Sequence, residues 1–432
     1  MGWRALLVVM LCAAPVAAQE SGELEEELAR LRERVAVLEK EESSSRDSGQ
    51  ESGGWRPALP QVMLGGFADV NFEYWKGRLK EGDPPDPMMA RSGHDEHDEF
   101  FLGSLDLFLA SQLSERFSFL SEILLEFEPH ETEIDAERLL LRYEHADWLR
   151  VSAGRGHTAI GYWNKHFHHG AWLWTTATRP LIFEFEDDGG PLPLHFVGIE
   201  FSGVRDTELG LLEYNSVVAN GRPDHSRRVA TVGDLNDGKM IAGALGFTPR
   251  LFPGLSVGAN VLYDEIPKDS HANPAPEWDR PIHELIAGGY VVFAGNALTV
   301  SVEGQYIHHG TPAKDYDSFG GYAQISYRLG GNSYSSWLDA TTPYYRFDWL
   351  SIADEDPFYQ QWEYPKEGGL EIEPPTAPPA PTGTPTVVDT RRHTVGIRYD
   401  WAAFVALKLE YRRLDSDVEN SNTLALQAAL AF

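Results

Sequence analysis

The chain has 432 residues, with 66 acidic against 36 basic side chains, and its formal net charge of -30 argues against nucleic acid as a partner. Its single cysteine, Cys12, excludes an internal disulfide. Residues 1–18 combine Arg4, an apolar run and small residues up to Ala18, which predicts a secretory signal peptide. After it no run reaches the roughly 18–20 apolar residues of a membrane helix, so a membrane role requires a β-barrel or surface attachment.

A short charged helix is predicted over residues 21–42. Its apolar positions form a heptad seam: Leu24, Leu28, Leu31, Val35 and Leu38. Because so short a helix is marginal alone, we interpret it as a coiled coil between copies of the chain, with a lone solvated helix as the alternative. Residues 43–60 are rich in Ser and Gly, which predicts a flexible linker.

From Val62 onward, apolar residues recur at every second position. The end of the chain shows this well, since Leu424, Leu426, Ala428 and Leu430 alternate with other residues before the terminal Phe432. Taken alone, such a strand belongs equally to a soluble sandwich or to an outer-membrane β-barrel. The alternation predicts about sixteen strands, at residues 62–74, 101–112, 117–128, 137–145, 148–156, 194–204, 208–219, 239–248, 255–264, 284–294, 297–307, 319–329, 342–352, 391–401, 404–414 and 423–432.

Connections between these strands alternate between short turns and long loops. An even strand count places both ends of the barrel region in the periplasm, with the short turns there and the long loops outside. The predicted outside loops are 76–99, 129–136, 157–193, 220–238, 265–283, 308–318, 353–390 and 415–422. A sandwich gives no reason for this segregation, so we predict an all-β fold, a transmembrane antiparallel β-barrel over residues 61–432. The helix at 21–42 is then periplasmic.

The third outside loop, residues 157–193, is the predicted pore constriction. A sixteen-stranded barrel is too wide for its own side chains to fill. This loop carries five aromatic residues from Tyr162 to Trp174. Such residues would promote aggregation if they were exposed to solvent, so we expect the loop to fold inward. Its candidate constriction residues are His157, Tyr162, Trp163, Asn164, Glu184, Glu186, Asp187 and Asp188. Within the seventh loop, 353–390, the Pro-rich residues 374–385 predict an extended spacer.

The order of signal peptide, coiled coil, sixteen strands, folded third loop and terminal Phe432 resembles that of bacterial trimeric porins. The nearest resemblance is to the phosphate-selective porin family and its coiled-coil-bearing relatives. Residues 152–161, SerAlaGlyArgGlyHisThrAlaIleGly, are similar to that family's strand-to-loop segment. Gly156 replaces its aromatic residue, His157 its basic residue and Ala159 its proline, so the resemblance implies a selective diffusion pore and a homotrimer without implying phosphate selectivity.

A set of basic side chains is predicted to line the pore from the wet faces of the strands. Its members are Arg138, Arg142, Arg150, Arg328, Arg346, Arg392, Arg398, Lys408 and Arg412. Facing the acidic third loop, they would set up a transverse field that sorts ions. The alternative is that they only pair with inward carboxylates, namely Asp69, Glu73, Asp106, Glu122, Glu126, Asp348 and Glu410.

The predicted function is diffusion of small hydrophilic solutes, including anions, across the outer membrane, with the surrounding lipid as the other partner and no cofactor. Two histidine tracts offer a metal-capturing channel as an alternative: residues 94–99, and 166–169 with His166, His168 and His169 as candidate zinc ligands. A barrel that only anchors a periplasmic partner is a further alternative. No Ser and His pair stands out at one depth of the lipid-facing wall, so we do not predict an enzyme.

Overall fold

The structure is a computed structural model, and it describes residues 61–79, 96–127, 132–168, 170–184, 190–224, 233, 237–268, 278–330, 336–353, 356–359, 366–367, 370–371, 389–417 and 419–432. The predicted signal peptide, coiled-coil helix and linker lie outside these residues, as does most of the Pro-rich seventh loop. No helix in the described ranges has the length and apolar content that a membrane crossing requires.

Sixteen strands of the described chain close into one antiparallel barrel, in which each strand pairs with its neighbours in chain order. The barrel strands are β1 Gln61–Leu79, β2 Glu96–Gln112, β3 Phe117–Phe127, β4 Thr132–Ala146, β5 Leu149–His157, β6 His195–Asp206, β7 Gly210–Ala219, β8 Met240–Pro249, β9 Leu255–Ile266, β10 Ile282–Ala294, β11 Leu298–Gly310, β12 Asp315–Tyr327, β13 Thr341–Ser351, β16 Thr390–Ala402, β17 Val405–Ser416 and β18 Glu419–Ala431. Two short strands, β14 Lys366–Glu367 and β15 Leu370–Glu371, pair only with each other. The helices are α1 Tyr162–Phe167 and α2 Ser336–Asp339, with 3-10 turns at Ala171–Leu173 and Leu181–Phe183.

The barrel closes where its last strand meets its first. β18 pairs with β1 from Leu79 opposite Glu419 to Phe67 opposite Ala431. The terminal residue continues this ladder, since Phe432 N donates to Gly66 O at 3.0 Å and Gly66 N donates to Phe432 O at 2.9 Å. Closure leaves the barrel without an unpaired edge strand. A β-structure in a bilayer must be closed in this way, because lipid offers no hydrogen-bond partners to an exposed edge. The predicted sixteen-stranded all-β barrel is confirmed.

The period-two pattern separates the two faces of the wall. On β16, Val395 and Ile397 are about half exposed, at 51% and 46%, whereas Arg392 and Thr394 on the other face are buried. Exposed apolar side chains such as Leu139, Leu141, Ile199 and Phe201 repeat this arrangement on other strands. The outer face therefore suits hydrocarbon, and the polar side chains point into the barrel.

Several strands are longer than the sequence predicts at their outer ends. β1 continues to Leu79, β2 begins at Glu96, β4 begins at Thr132 and β18 begins at Glu419, so the predicted loops 76–99, 129–136 and 415–422 were too long. Residues Glu96–Glu99 of the first predicted histidine tract are strand and not loop. Both faces are polar there, so no apolar alternation marks the strand, although its backbone still pairs.

A β-bulge in β4 changes which side chains point inward. Glu122 pairs with Arg138 but Leu124 pairs with Asp135, so β4 carries one residue more than β3 over this stretch. Ile134 and Leu139 are both exposed on the outer face, which requires the alternation to switch between them. The adjacent residues Glu137 and Arg138 both reach the inner face as a result.

Candidate functional site

The connection between β5 and β6, residues 158–194, is called here the β5–β6 segment. Its two ends are joined directly, because Thr158 N donates to Leu194 O at 2.8 Å and Thr158 Oγ1 donates to Pro193 O at 2.6 Å. Between them lie α1 and the two 3-10 turns. The segment thus leaves and rejoins the barrel at one point. The described residues between these ends are held in place by their contacts with the barrel wall.

Apolar side chains of the segment are removed from water. Ile160, Leu181, Ile182 and Phe183 are buried in one cluster with inward apolar residues of the wall. These wall residues include Leu262, Ile286, Ile307 and Leu350. Trp163 stacks on Phe183 with ring centroids 5.4 Å apart. Each such buried side chain contributes roughly 1.5–3 kcal/mol relative to exposure, which is the physical reason why this aromatic connection does not extend into solvent.

Glu303 of β11 holds the start of α1. Its carboxylate accepts hydrogen bonds from Tyr162 N at 3.0 Å and Trp163 N at 3.1 Å, two of the N–H groups that a helix leaves unpaired. Gly161 allows this approach, since its φ is +75° and a Cβ there would lie 2.0 Å from the Glu303 carboxylate. Partial burial, with Glu213 and Glu303 nearby, raises the pKa of the Tyr162 hydroxyl above its usual value. The first turn of α1 is therefore fixed to the wall.

Two further wall carboxylates accept backbone hydrogen bonds from the middle of the segment. Glu410 of β17 accepts from Ala177 N at 2.7 Å and from Thr178 Oγ1 at 3.0 Å. Asp348 of β13 accepts from Leu181 N at 3.0 Å. An irregular backbone leaves its N–H groups without partners of its own, and these inward carboxylates supply them.

Arg346 of β13 supplies the matching donors. Its side chain is fully buried and donates to Thr176 Oγ1 at 2.7 Å, Thr178 O at 2.9 Å and Arg179 O at 2.7 Å. It is paired with Asp348 at 2.9 Å. Arg392 of β16 donates to the same Arg179 carbonyl at 2.6 Å. Two arginines from neighbouring strands thus converge on one carbonyl of the segment.

Further carbonyls of the segment accept hydrogen bonds from two more basic side chains. Arg398 donates to Trp172 O and Trp174 O, both at 2.6 Å. Lys408 donates to Ala171 O at 2.5 Å and to Thr176 O at 2.8 Å. Four of the nine basic residues predicted to line a pore, Arg346, Arg392, Arg398 and Lys408, therefore hold the segment against the wall.

The other five basic residues pair with acidic or polar groups, and all of them except Arg412 are more exposed than the four that hold the segment. Arg138 contacts Glu122, Arg142 contacts Ser152 and Glu200, Arg150 contacts Glu144 and Asp147, Arg328 contacts Asp400 and the Asp339 carbonyl, and Arg412 contacts Glu73 and Glu410. Several of these partners are the carboxylates that the alternative interpretation named. Arg138 and Arg142 keep 31% and 39% of their side chains exposed, so they remain accessible on the inner face of β4.

Arg179 was not predicted from the sequence. Its guanidinium lies over the rings of Trp163 and Trp174, at 5.9 and 5.3 Å from their centroids, and its side chain is half-buried. Burial lowers the pKa of Arg179, while the charges of Glu126, Glu137, Glu184 and Asp69 raise it. Three of these carboxylates belong to β1, β3 and β4, whereas the Arg179 carbonyl is held by side chains of β13 and β16.

The predicted constriction residues occupy different environments. Trp163 and Asn164 are buried, Tyr162 and His157 are partly exposed, and Glu184 is exposed and contacts Arg392. Glu186, Asp187 and Asp188 lie outside the described residues. Of the predicted metal ligands, His166 is exposed with its ring at 2.9 Å from Tyr162 O, and His169 lies outside the described residues. His168 is buried beside Glu137, His157 and His195.

A second buried group of charges lies near the outer rim of the barrel. His309 of β11 contacts Asp356 at 2.8 Å and Glu284 of β10 at 3.0 Å, and Glu284 also contacts Arg222 at 3.4 Å. Asp356 and the buried Phe358 and Tyr359 belong to the predicted seventh loop. This part of that loop is therefore packed against the wall, whereas the predicted spacer at residues 374–385 lies outside the described residues.

These features define a class: a closed sixteen-stranded barrel with an apolar outer face and a folded segment bound to its polar inner face, as in outer-membrane β-barrels. The chain is similar to an anion-selective porin from Comamonas acidovorans, with 12% identity and a TM-score of 0.53 over 86% of this chain and 100% of that one. It is also similar to Salmonella typhi OmpF in complex with daunomycin, with 10% identity and a TM-score of 0.50 over 86% and 98% of the two chains. A loop L8 deletion mutant of OmpT, an outer membrane protein of Vibrio cholerae, matches with 10% identity and a TM-score of 0.50 over 87% and 100%.

At such identities the likeness shows a shared fold. No protein-family model and no curated protein matches the chain.

Proposed function

We propose that the chain is an outer-membrane channel, and not an enzyme, through which small hydrophilic solutes diffuse, with anions preferred. The observation that carries the proposal is the fixation of the β5–β6 segment to inward side chains of β11, β13, β16 and β17. A sixteen-stranded barrel encloses an aqueous lumen. A segment held to its inner wall by this many charged groups narrows the lumen at a fixed place.

The narrow point in this proposal lies between Arg179 and the inner face of β4. Arg179 presents a guanidinium from the segment, and the side chains of Arg138 and Arg142 are accessible on the inner face of β4. Positive side chains at a constriction attract anions and repel cations, even in a chain whose net charge is negative. The selectivity follows from these few local charges.

The proposal is tested in planar bilayers with the purified full chain. We expect stepwise conductance. In a potassium chloride gradient, we expect a reversal potential whose sign indicates a preference for chloride. Replacing Arg179 by Gln should shift that potential toward cation preference. The matched control is Arg328→Gln, because Arg328 is half exposed near a short turn and contacts Asp400. This variant should have the reversal potential of the wild type.

A reversal potential that Arg179→Gln leaves at the wild-type value would contradict the proposed constriction. Cation preference in the wild-type channel would contradict the proposed selectivity.

The N-terminal region completes the proposal. We propose that residues 1–18 are removed as a signal peptide, that 21–42 form a periplasmic coiled coil and that the channel is a homotrimer. Mass spectrometry of the purified chain and its sedimentation in detergent would test these three points together.

A further inference from the structure

We propose that Glu137, His157, His168 and His195 bind one divalent transition metal ion, with Zn²⁺ as the preferred ion. One ligand atom from each of these four residues lies within 4.8 Å of the others. Glu137 Oε2 is 2.5 Å from His195 Nε2 and 3.8 Å from His168 Nε2. The rings of His157 and His168 have centroids 4.1 Å apart. Four potential ligands thus converge on one point.

Each ligand comes from a different part of the backbone. Glu137 reaches the inner face through the bulge of β4, and His157 and His195 pair across β5 and β6 at the root of the β5–β6 segment. His168 follows α1. A metal bound here would therefore join the segment to three strands of the wall. The histidines of one loop alone could not form this site.

The orientation of His168 is determined by its neighbour Asn164. The Asn164 amide nitrogen donates to Leu194 O at 3.2 Å and to Thr158 O at 3.3 Å, so the Asn164 carbonyl oxygen must face the other way. That oxygen is 2.6 Å from His168 Nδ1, which must then carry the proton. A neutral His168 consequently has its lone pair on Nε2, the atom that points at Glu137. This is how a partner outside the ligand set usually orients a metal-binding histidine.

Three imidazoles and one carboxylate suit zinc in four-coordinate geometry. Zinc–nitrogen bonds of about 2.0–2.1 Å place tetrahedral ligand atoms about 3.3 Å apart. Glu137 Oε2 and His195 Nε2 must therefore separate from 2.5 Å, while His168 Nε2 must approach Glu137 Oε2 from 3.8 Å. The side chains of Glu137, His168 and His195 are 1–2% exposed. A divalent cation would neutralise the buried carboxylate, and the partly exposed His157 leaves a route for the ion to enter.

The inference goes beyond diffusion through the pore and does not depend on it. An ion bound by four residues stays at its site and does not pass through the pore. Its effect would be to fix the root of the β5–β6 segment. The folded chain is then stabilised by RT ln(1 + M/Kd), where M is the free metal concentration and Kd its dissociation constant.

Metal binding is tested on the full chain without a histidine tag, folded in detergent and treated with a chelator. Titration with Co²⁺ should give one ion per chain, with the intense visible bands of four-coordinate cobalt, and Zn²⁺ should abolish these bands by displacement. His168→Gln and Glu137→Gln each replace a proposed ligand, so each should weaken Co²⁺ binding by at least about a hundredfold, more than the loss of a partner outside the ligand set. His166→Gln is the matched control, since His166 is two residues away and exposed, and it should bind as wild type does.

Absence of the cobalt bands in wild-type protein would overturn the proposal, as would wild-type affinity in the His168→Gln variant. Since a variant of a buried residue risks misfolding, X-ray absorption of zinc-loaded wild-type protein provides a second measurement. Three imidazole ligands are expected there, and one or none would overturn the proposal.

Discussion

Replacing Arg346 by Met is expected to release residues 176–180 from the wall of the barrel. Met fills much of the same space but donates no hydrogen bonds, so the carbonyls of Thr178 and Arg179 lose a buried donor and Asp348 loses a buried cation. Breaking a buried pair by removing one partner costs about 3–5 kcal/mol. Amide hydrogen exchange should show this as faster exchange in residues 176–184.

The control for this experiment is Arg328→Met. Arg328 is half exposed, and such ion pairs contribute at most about 1 kcal/mol, so exchange in residues 176–184 should stay unchanged. If the Arg346 variant exchanged as slowly as wild type, the contacts made by Arg346 would not be what holds the segment in place.

Removing the segment is expected to widen the channel. Since Thr158 and Leu194 are hydrogen bonded to each other, residues 159–193 can be replaced by a short Gly-Ser linker without opening the barrel. The lumen would then be wider at the level of the segment, and single-channel conductance should rise by at least about twofold.

The matched control is a deletion within another outside connection. Removing the Pro-rich residues 374–385 should leave conductance at the wild-type value, because this stretch is predicted to be an external spacer. Equal conductance in the wild type and in the variant that lacks residues 159–193 would show that the segment does not limit the flow.

The strands could be predicted because the alternation of polar and apolar residues within each strand is a local property of the sequence. The alternation that ends at Phe432 continues through every barrel strand, and the same alternation placed Arg346, Arg392 and Lys408 on the inner face. Their contacts could not be predicted, because they depend on the path of the β5–β6 segment. That path is set by Glu303, Asp348 and Glu410. Asp348 and Glu410 were predicted to point inward, but nothing in the sequence indicated that they bind the segment.

The candidate metal cluster illustrates a different limit. His157 and His168 were recognised as notable residues, whereas Glu137 was not, because a one-residue bulge in β4 moves it to the inner face against the period-two pattern. His195 comes from the far end of the segment, 38 positions after His157, and only the pairing of β5 with β6 brings the two together. Arg179 likewise acquires its position over Trp163 and Trp174 from tertiary packing.

The most direct test of the account is chemical modification of Arg179→Cys during single-channel recording. Cys12 lies in the predicted signal peptide, so the introduced thiol should be the only one in the secreted chain. A negatively charged methanethiosulfonate reagent should then reduce the single-channel current in discrete steps, while the same treatment of Leu209→Cys, at an exposed turn, should not change it. Complete labelling of Cys at position 179, verified by mass, with an unchanged current would contradict the claim that the β5–β6 segment lines the path of the solute.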